Sequence, residues 1–204
     1  MTTPRILSTP EQDKLLDALS ASPHSPHTWY TSRRNRLVGL LMLDAGLRAS
    51  ELIKLNVSDA YFDQAPRTHL EIPNSIAKYS VGGSIPISDR LNAALVAYAE
   101  RAFDNRPPSP HHPLLFQHST RRPLSRRTIH RIISDAGTQS LGRPVFPHML
   151  RHTFIDRLRT VTDLPTVQLL ARHKHLSSTQ QYTHPTLAQT ADAIRAMNRP
   201  PVQP

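Results

Sequence analysis

Residues 147–158 read PHMLRHTFIDRL, and residues 169–184, beyond a connector, read LLARHKHLSSTQQYTH. The proline that opens the first segment suits the first turn of a helix. From there Leu150, Phe154 and Leu158 recur at helical spacing and form a core stripe. His148 and Arg151 stand three apart, so a helix places both on one face, with His152 beside them. His173 and Tyr182 follow nine residues apart on a second short element. Together the two segments offer cations, imidazoles and one phenol.

The chain before this region alternates helices with one sheet signal. Thr9 reads as an N-cap, with Pro10 in the first turn and Gln12 completing a capping box. After a Pro/His/Ser-rich loop at Ser22–Thr28, a second helix is predicted near Arg33–Ala45, with Gly46 as its left-handed cap. Another helical turn covers Ser50–Lys54. His69–Ile72 and Ser84–Ile87 have strand propensity, and Gly82-Gly83 before the second is a turn signal, predicting a small hairpin or three-stranded sheet. Ser88 caps a helix with Leu91, Ala94, Leu95, Tyr98 and Ala102 inward. Asp104–Pro113 is a Pro-rich connector. Ser125–Ala136 reads as a helix with Ile129, Ile132 and Ile133 inward and Gly137 as its end. A last helix is predicted at Thr186–Met197, followed by a disordered Pro-rich tail at about 199–204. The expected fold is mainly α with a small antiparallel β-sheet (α+β), in a single domain spanning 1–204.

Composition points the same chain toward an anionic partner. It has 204 residues, a formal net charge of +10, and 25 basic residues. Only Lys14, Lys54, Lys78 and Lys174 are lysines; the rest are arginines, whose planar fork suits phosphate. A GC-rich genome raises Arg and Pro together, so this bias alone does not decide between nucleic acid and codon usage. There is no cysteine, which excludes disulfides, thiolate catalysis and cysteine zinc sites. No N-terminal run reads as a signal peptide and no apolar stretch approaches the ~20 residues of a membrane span. The expectation is a cytoplasmic protein with no membrane partner.

Four segments carry chemistry-bearing residues: Asp44-Ala45-Gly46-Leu47-Arg48-Ala49-Ser50-Glu51-Leu52; Lys78, between the two strands; His148-x-x-Arg151-His152-Thr153-Phe154; and His173 nine residues before Tyr182. In this order and at this spacing they resemble the tyrosine recombinase (phage integrase) family, including the chromosome-dimer resolvases, from about Ile6 to the end of the chain. The resemblance implies that family's catalytic-domain fold and a catalytic set of Arg48, Lys78, His148, Arg151, His173 and Tyr182. Tyr182 would form a 3′-phosphotyrosyl link and Lys78 would be the general acid. Because the link keeps the bond energy, no cofactor, metal or nucleotide is required.

The residue types suit that chemistry in their own right. A five-coordinate phosphorus gathers negative charge on its non-bridging oxygens, which two guanidiniums, Arg48 and Arg151, can clamp by parallel hydrogen bonds. A tyrosine near its usual pKa of ~10 is a weak nucleophile, and adjacent cations or an imidazole base activate it. The departing 5′ oxygen needs a proton, which a lysine gives and an arginine effectively does not. Singly, each residue has an ordinary reading. Tyr182 could be half-buried packing, Arg48 a cation on helix-end carbonyls, Lys78 an exposed turn lysine, and His148 with Arg151 a solvated face. The set points to the recombinase site.

His148 and His152 also have the spacing of a zinc pair, with His111-His112 and His173/His175 elsewhere, but HExxH is absent. His152, Glu51 and Asp59 are read as supporting residues. Three departures from the family pattern stand out. Only eight residues precede the first helix, which predicts that the family's helical DNA clamp is absent, with an accessory DNA-binding protein as a candidate partner. Arg172 stands where Gly is usual, which predicts an altered loop or an added phosphate contact. Val81 and Gly83 stand where the hairpin often carries further basic residues, predicting a weaker grip on DNA. The expected function is a site-specific DNA recombinase or integrase acting on double-stranded DNA as a homo-oligomer, with the last helix docking on a neighbouring protomer. The alternatives are a type IB topoisomerase-like nicking and closing activity, or a non-catalytic DNA-binding accessory of a larger recombinase.

Overall fold

The structure, a computed structural model, describes residues 6–21, 26–77, 82–103, 109–172 and 187–198. Its centre is α2 (Pro26–Leu43), whose run Leu37–Leu43 lies against neighbours on every side. A helix apolar all round belongs inside a protein. Gly39 permits that closeness, because a Cβ there would sit 2.6 Å from Leu19 Cδ1 of α1 (Thr9–Ser20). The capping box of α1 lies one residue before the expected one: the Ser8 backbone N–H donates to Glu11 Oε2 at 2.9 Å. Gln12 is instead buried, donating to the Leu7 carbonyl at 3.0 Å.

Two short helices, α3 (Ala49–Leu52) and α4 (Val57–Ala60), follow α2. Then come two separate antiparallel hairpins. The pair β1 (Tyr61–Phe62) and β2 (Ala65–Pro66) turns on Asp63 and Gln64, both with positive φ. The pair β3 (His69–Ile72) and β4 (Gly83–Pro86) aligns Leu70 with Ile85 and directs both into the core. Helix α5 (Asp89–Ala102) carries the predicted cap, Ser88 Oγ accepting from Leu91 N, and packs on α2 with its expected stripe buried. Tyr30 and Tyr98 meet between these helices and donate their hydroxyls to the Phe116 and Leu114 carbonyls, at 2.7 and 2.8 Å.

Helix α6 (Arg126–Leu141) runs past Gly137, its expected end, and stops at Gly142 with φ +65°. Gly137 serves close packing: a Cβ there would lie 2.5 Å from Val145 Cγ2. Helix α7 (Pro147–Arg159) begins at the predicted proline and buries Leu150, Phe154 and Leu158. Thr153 accepts the Leu7 N–H at 2.9 Å, tying the chain's start to α7. The connector beyond holds a further helix, α8 (Leu164–Ala171), capped by Asp163, whose carboxylate accepts from Thr166 N. Helix α9 (Leu187–Met197) packs against α7, α8 and β4 of its own chain. No described helix is long and apolar enough to cross a membrane.

Candidate active site

The site begins where α2 ends. Gly46 turns the chain with φ +59°, and a Cβ there would lie 2.3 Å from Phe154 Cδ1, so both backbone and space require glycine. The turn delivers Arg48 as the N-cap of α3. Glu51 holds it twice: Oε2 accepts the Arg48 backbone N–H at 2.8 Å and Oε1 accepts Nη1 at 2.7 Å. The Arg48 side chain keeps 20% of its surface exposed, while that of Glu51 keeps none.

Arg151 enters from α7 and is buried. It donates to the carbonyls of Gly46 and Ala171, so one guanidinium ties the turn before α3 to the end of α8. A cation at the carbonyl end of a helix is favourably placed. Burial, with the nearby charges of Arg48 and Arg172, lowers its pKa to about 9. It therefore stays protonated at neutral pH, carrying charge that the interior does not solvate well.

Arg172 is the third member. It ends α8 in the left-handed region, φ 50° and ψ 53°, a conformation that glycine adopts without steric cost. Its side chain turns inward onto Glu51, with Nη2 donating to Oε2 at 2.8 Å, and is 1% exposed. In place of the expected phosphate contact, Arg172 makes a buried ion pair. The start of β4 leans on it, since a Cβ on Gly83 would lie 3.6 Å from Arg172 Cδ. Burial raises the pKa of Glu51, but Arg172, the Arg48 backbone N–H and the Arg48 guanidinium lower it further, leaving it below its ordinary value.

His148 sits exposed in the first turn of α7, its ring 4.3 Å from that of His152 in an edge-on contact. Of the six residues expected in the site, Arg48 and Arg151 are thus brought to one place, with His148 a helical turn before Arg151. Lys78, His173 and Tyr182 lie outside the described residues. Among the described residues no group of three or more His, Asp and Glu could hold a metal ion. Arg172 is the residue that sequence reasoning left out of the cluster. The signal for it was a long cationic side chain at a position where glycine was expected.

A mainly helical domain with small hairpins and arginines converging on one turn defines a class, and comparison with known proteins identifies it. The chain belongs to the phage integrase family, whose model matches residues 6–189. It is 31% identical to the tyrosine recombinase XerA of Pyrococcus furiosus, over 97% of this chain and 63% of that protein. It is also 31% identical to the tyrosine recombinase XerC of Pseudomonas fluorescens, over 88% of this chain and 57% of that one. The chain thus spans about three-fifths of the length of the curated relatives it matches. Among solved structures, a XerA recombinase superposes with TM-score 0.68 at 23% identity, over 99% of this chain and 68% of that one. The integrase from mycobacterium phage Brujita gives 0.67 at 24% identity, over 100% and 62%. The observed fold is therefore the expected one, that of a tyrosine recombinase catalytic domain.

Proposed function

We propose that this chain is the catalytic domain of a site-specific DNA recombinase or integrase that breaks and rejoins double-stranded DNA. The Tyr182 oxygen, giving its proton to a neighbouring imidazole, attacks phosphorus and forms a 3′-phosphotyrosyl bond as the bond to the 5′ oxygen breaks. Lys78 gives that oxygen its proton. Arg48 and Arg151 bind the non-bridging oxygens, and His148 and His173 complete the pocket. One phosphoester bond is exchanged for another, so the step needs no metal or nucleotide. Rejoining reverses it with a different 5′ hydroxyl. Exchange between paired sites implies a homo-oligomer on DNA, with α9 docking on a neighbouring protomer; an accessory DNA-binding protein as partner and a cytoplasmic location complete the proposal.

The observation that carries this reading is the pair Arg48 and Arg151 held around one glycine turn. Removing one preorganised donor of this kind costs on the order of 10²–10³ in rate. The test uses a library of nicked duplexes, randomised around the nick so that the cut fragment diffuses away. A protease-sensitive covalent adduct is expected, and Tyr182→Phe should abolish it. DNA retention with no adduct would instead indicate a non-catalytic binding module. With sequences recovered from the adduct, two intact sites should yield recombinant product; relaxation alone would indicate a topoisomerase-like enzyme.

A further inference from the structure

The buried cluster has an imbalance of charge. Arg48, Arg151 and Arg172 lie around a single described carboxylate, Glu51, whose side chain is fully buried. Arg48 occupies one carboxylate oxygen and Arg172 the other. Arg172 Nε, also buried, finds no acceptor among the described residues. The Arg172 backbone adopts a left-handed conformation that is sterically unfavourable for a non-glycine residue. An arginine held there against that cost, with its charge sealed from water, calls for a role beyond ending a helix.

We propose that Arg172 is a positioning residue that tunes the phosphate clamp by neutralising Glu51. Without it, Glu51 would compensate Arg48, and the cluster would carry one net positive charge, that of Arg151. With Arg172 present the net charge is two, matching the two negative charges that a five-coordinate phosphorus develops. Arg172 reaches no phosphate itself, because its side chain is enclosed by Glu51, the end of α8 and the start of β4. It acts by sharing the Glu51 charge, so that Arg48, still held to that carboxylate through its backbone N–H and Nη1, keeps net positive charge for the phosphate. This inference rests on the strand-transfer reading above.

The experiment measures single-turnover adduct formation on the same nicked library, with binding to one fixed duplex followed against salt. Arg172→Gly suits the left-handed backbone and should fold; melting curves check this. Its adduct rate should fall roughly tenfold, less than the loss of a direct phosphate donor, and the wild type should show the steeper salt dependence. Arg172→Lys keeps the charge and should stay near wild type. The decisive variant is R172G/E51Q, which removes one positive and one negative charge together. Its adduct rate should recover toward wild type. A purely structural Arg172 would leave the double variant as slow as R172G or slower, and that result overturns the proposal, as would wild-type rates for R172G. Absence of any adduct from the wild type would instead strike at the strand-transfer reading.

Discussion

Asp44 and Glu51 flank the same glycine turn, both carboxylates are fully buried, and each is bound by two arginines, yet the two networks are built for different ends. Asp44 takes Ser88 Oγ at 2.8 Å, the Arg90 guanidinium through Nε and Nη2, and Arg157 Nη1 at 3.4 Å. Arg157 continues to the Met197 carbonyl and Asn198 Oδ1, both at 2.9 Å, so Asp44 joins α2, α5, α7 and the end of α9. Arg157 spends its remaining donors on architecture. Glu51 instead gathers Arg48 and Arg172 beside Arg151, concentrating positive charge at one spot. A buried ion pair is weak evidence of stability by itself. The brace is distinguished from the proposed clamp by charge: three arginines crowd the one carboxylate of Glu51, where two share Asp44.

The largest effect should come from the clamp. Arg151→Lys keeps a cation but loses the fork that reaches both Gly46 and Ala171. Adduct formation should drop on the order of 10²-fold or more, while DNA retention in a filter assay persists. Wild-type cleavage by this variant would remove the guanidinium pair from the mechanism.

The brace should show the reverse pattern. Asp44→Asn leaves Arg90 and Arg157 without their carboxylate, and breaking a buried pair this way costs about 3–5 kcal/mol. Urea unfolding should register that loss, with the adduct rate per folded molecule within about twofold of wild type. A rate that collapsed together with stability would mean that the two networks are not separable.

Acid titration sharpens the contrast further. The carboxyl of Glu51 lies below its ordinary pKa in the folded chain, so its contribution to stability is present above about 4.5 and is lost as pH falls through the lowered value. Wild-type stability should therefore decline more steeply below that pH than that of Glu51→Gln. Parallel curves for the two proteins would show that Arg48 and Arg172 do not favour the ionised form.

The same contrast explains what could be read from the chain and what could not. The stripe of α5 and that of α7 were legible because burial on one helical face leaves a periodic trace, and all of their expected core residues are inside. Arg48 and Arg151 were legible as motif members, and Glu51 as a supporter. Glycine was harder, because one residue type serves two ends. Gly46 turns the chain as expected, but Gly137 clears space for Val145 and the helix runs on to Gly142. The β1–β2 turn left no glycine signal, since Asp63 and Gln64 hold positive φ themselves. The inward course of Arg172 depends on backbone angles at the end of α8, and those are set by tertiary packing.

Ser88 offers the smallest and cleanest test of the brace. Its hydroxyl donates to Asp44 and accepts from Leu91 N at 3.3 Å, so one oxygen both caps α5 and joins the carboxylate network. Ser88→Ala removes the cap, which alone costs about 1 kcal/mol. Asp44 keeps both arginines, so the full cost of a broken pair does not arise. A urea midpoint lower by about that amount, with unaltered adduct kinetics, would place Ser88 wholly on the architectural side. A loss of several kcal/mol would mean that Arg90 and Arg157 cannot hold Asp44 unaided, and that the hydroxyl organises the brace.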